Sequence, residues 1–488
     1  MRFGSILGVL VLVAGCGGGG GGSAVEIDGV GDALADGVAE DGGLEDVLPE
    51  IGVPADVDSA FDSEPEVEIF EGGSKPEVTP PETSAQELPN GAWQVSTAHY
   101  LVTAGMGEED TVALAQVLEA AFDDLVVIFG GDQPEETPLV VHVYATQEQL
   151  EAGVPDMGAG AGGYYDPATQ IASMGVQPTP YYTRSLALHE AAHQFHFLAR
   201  LGNTGSLLGW YMEALAVWAQ IYDWDGEETT LGTLPLATLE DFAEQGLAHL
   251  LEMESLGAMI DGSATWSYPL GRLLYRYLDH GHPEGFASWR KAVDADPWTT
   301  GSTMLALFEE HIGPAESIHQ ELLAWGPTDQ EPFQMFLSGW THMDADEVLG
   351  DSGGAWSESF MVTTGDISSL EVTLDIGEIN EEIPATPERS GTPGGEAGIV
   401  VGWVDMGAHV KATIDSTGHF LVLDSSKFFD PLVSEDLGLE GAVTLGYSAG
   451  VFTLNGEAYG PFEVNPGPAG LMVKQGPIHF WNLAYETE

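Results

Sequence analysis

Basic residues are scarce and cysteine is nearly absent: 12 Lys and Arg stand against 78 Asp and Glu, and Cys16 is the only thiol in 488 residues. A single cysteine excludes any intrachain disulfide. The formal charge of -66 excludes electrostatic binding to nucleic acid, phosphate polymers or anionic lipid. Long hydrophobic runs are missing too, since the apolar stretch Ile6 to Val13 is too short to span a bilayer. What is plentiful is apolar content, 43%, which rules out wholesale disorder. The length exceeds what one compact core supports, so two folded domains plus extra segments are expected.

Arg2, the apolar Ile6 to Val13 and the small-residue site Val13-Ala14-Gly15-Cys16 read as an export signal over residues 1–16. The site resembles the lipobox of bacterial lipoproteins, which implies that Cys16 becomes the acylated first residue of an exported, membrane-anchored protein at the outer membrane or cell surface. Six glycines follow, then an acidic Gly- and Pro-rich tract to about Leu88 in which Lys75 is the only basic residue. Like charges and prolines keep such a tract extended, so residues 17–88 are expected to be a disordered tether.

From Trp93 the pattern becomes globular. Trp93 to Val102 and Leu139 to Tyr144 read as strands around an amphipathic helix from Asp110 to Phe129, and Ile171 to Val176 as a further strand after a Gly-Gly-Tyr-Tyr turn cluster at 162–165. Helical periodicity then dominates from Pro180 to about Leu349. Beyond Gly350, short runs such as Ile399 to Val404, His409 to Ile414, Phe420 to Leu423 and Phe452 to Leu454 alternate with turn residues. That texture predicts a β-sandwich over 351–488. Its last stretches, with an Asn455-Gly456 turn, resemble the final strands of concanavalin A-like lectin and glucanase jelly rolls; this implies a glycan or surface ligand for that domain.

The segment Leu186-Ala-Leu-His189-Glu190-Ala-Ala-His193 follows Thr179-Pro180, an expected N-cap and first-turn proline. Residues four apart share a helix face, so His189 and His193 can reach one Zn²⁺ while Glu190, one residue round, touches a water without ligating the metal. A third ligand is then required. Glu213, a lone carboxylate in the apolar run Trp210-Tyr-Met-Glu213-Ala-Leu-Ala216, is the candidate. Here the chain resembles the gluzincin group of zincin peptidases, in which His-Glu-x-x-His is followed by a Glu in a Trp-x-x-Glu-x-x-Ala setting; Trp210, Glu213 and Ala216 match it. His196 comes too early for the third histidine of a metzincin and reads as an ordinary core residue.

Tyr268 and Gly271 resemble the Tyr-x-x-Gly helix start of several gluzincins, which implies that Tyr268 donates to the developing oxyanion. The Gly-x-Met-Glu-Asn motif of the aminopeptidase branch is missing, so endopeptidase action is preferred. The strand before the active-site helix, Ile171 to Val176, occupies the place where zincins pair with extended substrate. His280 and His282 could suggest a second metal, but a loop after a helix C-terminus favours His in any case. No Asp or Asn stands out as an outer partner for His189 or His193.

The expectation is therefore an α+β zincin-like domain over 89–350, a small α/β subdomain plus a helical one, followed by an all-β jelly-roll-like sandwich. It would hydrolyse peptide or protein substrates with zinc. The competing reading is a non-catalytic surface-binding protein that keeps a peptidase-like scaffold beside a lectin-like module.

Overall fold

Strict alternation of buried and half-buried residues makes Leu139–Tyr144 a strand, β4, at the middle of a six-stranded sheet. The computed structural model describes residues 84–487 apart from short internal stretches, the longest being 202–208 and 380–393. Cys16, the export signal and the tether to residue 83 lie outside the described residues. The sheet runs in the order β1 (Ser84–Glu87), β2 (Trp93–Ser96), β3 (Tyr100–Ala104), β4, β6 (Ile171–Gly175), β5 (Gly163–Asp166). β3, β4 and β6 are parallel; β2 and β5 run antiparallel to them, and β1 pairs antiparallel with β2.

Several expectations change here. Trp93 to Val102 is not one strand but a hairpin, because Glu119 accepts from Thr97 Oγ1 at 2.7 Å and from the His99 amide at 3.0 Å and so pins a turn between the halves. The expected tether to Leu88 ends earlier. Ser84–Glu87 is fully exposed and has no apolar pattern, yet its backbone pairs with β2.

Helix α1 (Glu108–Ile128) packs on the sheet through Leu114, Leu118, Ala121 and Leu125, with Glu108, Glu109 and Asp110 complementing its N-terminal dipole. After α2 (Gln147–Gly153), the long helix α3 (Pro180–His196) starts at the Thr179 cap, whose hydroxyl accepts from the Tyr182 amide at 3.3 Å. Gln194 of α3 donates to the backbone carbonyls of Val140 and Gln170 at 3.2 and 2.9 Å, tying helix to sheet. Next come α4 (Gly209–Gln220) and the short hairpin β7 (Tyr222–Trp224) and β8 (Thr229–Leu231). The remaining helices are α5 (Phe242–Glu252), α6 (Leu256–Ile260), α7 (Tyr268–Gly281), α8 (Pro283–Asp294), α9 (Gly301–His311) and α10 (Ala315–Trp325). One apolar core runs through this half from Val95 to Leu322. No described helix is long and apolar enough to cross a membrane.

The helical texture expected to continue to Leu349 stops at Trp325. The boundary expected at 350 moves back, because β9 (Phe333–Phe336), β10 (Trp340–Asp344) and β11 (Glu347–Gly350) already belong to the β-sandwich. Its two seven-stranded sheets are antiparallel throughout. One contains β10, β11, β22 (Ile478–Thr487), β13 (Ile367–Asp375), β18 (Ala442–Ser448), β19 (Val451–Leu454) and β20 (Glu457–Tyr459) in that order. The other runs β17 (Val433–Asp436), β16 (His419–Asp424), β15 (Ala408–Asp415), β14 (Glu396–Asp405), β21 (Gly470–Lys474), β12 (Glu358–Thr363), β9. Alternate residues such as Ala397, Ile399 and Val401 fill the space between them. Asn455 and Gly456, at φ 51° and 82°, make the expected two-residue turn between β19 and β20, with Leu454 opposite Glu457.

Candidate metal centre

All residues of α3 from Thr183 to His196 are buried, an unusual setting for two histidines and a glutamate. His189, His193 and Glu213 each offer one ligand atom, and the three atoms lie within 4.8 Å of one another. Glu213 Oε2 is 3.4 Å from His189 Nε2 and 3.5 Å from His193 Nε2. Neither His189 Nε2 nor Glu213 Oε2 makes a hydrogen bond. Buried donors and acceptors left so close and yet unsatisfied are costly unless a cation sits among them. Two imidazoles and a carboxylate, with a fourth position open, are the donor set of a catalytic zinc site.

Electrostatics agree with that fit. Burial alone would raise the Glu213 carboxyl, but the imidazoles outweigh it and bring the pKa to about 2, so an anionic ligand is available. For Glu190 burial wins: it pushes the carboxyl above its usual range, against the pull of His189 and His193 and with a further push from Glu213. Glu190 is held beside the donor triangle by a close approach from β5, where a Cβ at Gly163 would stand 2.6 Å from Glu190 Oε1.

The outer partner that the sequence did not reveal is Gln220. Its Oε1 accepts from His189 Nδ1 at 2.9 Å, fully buried, which leaves Nε2 with its lone pair facing Glu213. Gln220 lies seven residues after Glu213 on α4, two turns along and on nearly the same face. That spacing is the signal the sequence carries for this partner, and it falls on a glutamine where the sequence expectation names Asp or Asn.

Tyr268 opens α7, half-buried, with its ring edge-on to Trp266 at 5.2 Å and Ser267 capping the helix. Gly271, one turn on, packs against α4: a Cβ there would meet Ala214 Cβ at 2.8 Å, beside Glu213. The glycine of the Tyr-x-x-Gly pattern therefore serves close helix packing.

His196, His280 and His282 have structural partners. His196 pairs with Asp294 at 3.0 Å, which also accepts from Tyr211 Oη at 3.1 Å, so it is a core residue as expected. His282 lies 3.2 Å from both Tyr277 Oη and Glu321, and His280 stacks on Trp325. Among the described residues no second cluster of three potential metal ligands occurs. The strand expected to meet substrate, Ile171 to Val176, is covered: β6 pairs with β4 on one side and β5 on the other, and β5 is the sheet's terminal strand.

No protein-family model and no curated protein matches this chain. Among solved structures, a legume lectin-like domain from Entamoeba histolytica is similar over 32% of this chain and 90% of its own, at 12% identity and a TM-score of 0.22. An alginate lyase of polysaccharide lyase family 7 is similar over 31% of this chain and 84% of its own, at 14% identity and a TM-score of 0.20. A cellulose-induced protein is similar over 32% and 90%, at 12% identity and a TM-score of 0.20.

Proposed function

We propose that this chain is an exported, lipid-anchored zinc metallopeptidase in which His189, His193 and Glu213 hold the metal and Glu190 is the general base. The observation that carries this reading is the buried triangle of ligand atoms within 4.8 Å. Zinc bound by such a set polarises a carbonyl and brings the pKa of a water towards about 7. Everything else is the work of the chain. Glu190, its carboxyl raised by burial, takes the proton of the attacking water and returns it to the leaving amine. Gln220 holds the tautomer of His189. Tyr268 is assigned the hydrogen bond to the carbonyl oxygen as negative charge develops there. An extended peptide would pair with the terminal strand β5, whose Gly163 borders Glu190. Cys16 is the site of acylation, and the sandwich is the module that would meet a glycan or other surface ligand.

Elemental analysis of the purified protein, paired with cleavage of a mixed peptide library, tests the reading. We expect about one zinc per chain, hydrolysis abolished by chelation, and a Glu190→Gln variant that keeps its zinc while turnover falls by several orders of magnitude. Well-folded protein without stoichiometric zinc, or a fully active Glu190→Gln variant, would overturn it.

A further inference from the structure

The sandwich reaches the helix that carries the histidines. From β10, the Asp344 carboxylate pairs with the Arg184 guanidinium, and the His342 ring packs against Tyr181 with centroids 4.0 Å apart and planes tilted by 36°. Tyr181 and Arg184 lie in the first turns of α3, ahead of His189 on the same helix. Arg184 is buried; its Nε donates to Tyr222 Oη at 2.9 Å, and its guanidinium lies 5.1 Å from the Trp224 ring. Tyr222 in turn stacks on Tyr181 at 5.0 Å and 9°.

Tyr222 and Trp224 belong to β7, which leaves α4 directly after Gln220. Gln220 is tied to α3 twice, through the 2.9 Å bond from His189 Nδ1 and through its own carbonyl, which accepts from Ser185 Oγ at 2.9 Å. Side-chain contacts join Asp344 to Arg184 and Arg184 to Tyr222, the backbone carries the link two residues back to Gln220, and Gln220 meets His189; all but Asp344 are buried.

We infer that Asp344 is a positioning residue for the metal site, acting through Arg184 and Tyr222 on Gln220, so that the β10–β11 hairpin supports the site and is not a separate module. The inference rests on the zinc reading of His189, His193 and Glu213. Without Asp344 a buried guanidinium loses its counter-charge and must turn to another acceptor or admit water. Tyr222 then loses a fixed donor. The segment that presents Gln220 is freed, and His189 loses the partner that orients its ring; loss of such outer partners costs about 10- to 100-fold in metal affinity.

The test is Zn²⁺ affinity of the full-length chain, measured by competition with a chromophoric chelator. Asp344→Asn should bind one zinc, about 10- to 100-fold more weakly than the parent. Gln220→Leu should show a similar loss. The double variant Asp344→Asn/Gln220→Leu should be little weaker than either single variant, because both act on one contact. Should Asp344→Asn fail to fold, the paired replacement Arg184→Met/Asp344→Leu removes both charges together and reads the same quantity. Parent-like affinity in the Asp344 variants, or losses that multiply fully in the double variant, would overturn the positioning role and leave the zinc reading standing. A parent chain that binds no zinc would overturn both.

Discussion

At the scale of single residues, the candidate metal centre shows which arrangement of side chains a helix can encode by itself. His189, Glu190 and His193 were legible because helical spacing alone sets which of them share a face. Glu213 was legible because a lone carboxylate in an apolar helix needs a partner. Gly163 was not legible as a site residue, since its importance is the absence of a Cβ next to a side chain on a different element. Gly163→Ala places that Cβ 2.6 Å from Glu190 Oε1 and must displace the carboxylate. We expect the variant to keep its zinc while kcat falls on the order of 10²-fold, the cost of misplacing a reacting group by about 1 Å. Unchanged turnover in Gly163→Ala would show that Glu190 can do its work from a shifted position, against the geometry assigned to it.

Among elements, the hairpin of β10 and β11 is where the sequence reading and the structure part most clearly. The helical texture expected up to about Leu349 takes in residues 333–349, yet these residues pair into both sheets of the sandwich and reach α3. We expect this junction to be acid-sensitive. Burial lowers the His342 pKa from 6.5 to about 4, the Arg184 charge adds to that effect, and the Asp344 backbone and carboxylate oppose it only in part. A neutral histidine in the fold that would protonate at 6.5 when unfolded causes no loss of stability above pH 6.5. As the pH falls from 6.5 to about 4 the unfolded state alone takes up the proton, at a cost on the order of 3 kcal/mol. His342→Phe keeps a ring against Tyr181 and removes the titration. Denaturant midpoints of the parent should therefore drop between pH 7 and 4.5 more steeply than those of the variant; parallel declines would assign the acid sensitivity to other groups.

For the whole molecule, charge is the governing quantity. Arg184, Arg272, Arg276, Lys411 and Lys474 all face carboxylates inside the fold or between strands. With 78 acidic residues and only 12 basic ones, a large excess of carboxylates stays uncompensated. Their mutual repulsion weakens the fold most at low ionic strength, where the screening length is about 30 Å at 0.01 M against about 10 Å at 0.1 M. We expect Tm to rise by several degrees from 0.01 to 0.5 M NaCl. A Tm that does not move with salt would mean that the acidic surface is neutralised by some other means.

The sequence by itself determined the helix face that His189 and His193 share, the Thr179 cap, the Asn455-Gly456 turn, the strand content of the sandwich and the excess of acid, because each depends on local spacing or on composition. Only the tertiary structure decided that Gln220 orients His189 from 31 residues away, that β5 and not β6 ends the sheet, and that Asp344 of the sandwich meets Arg184 of α3. Those contacts join residues on different elements. Helix and strand periodicities say which face a residue occupies, but which faces meet is settled by how the elements pack around the two cores.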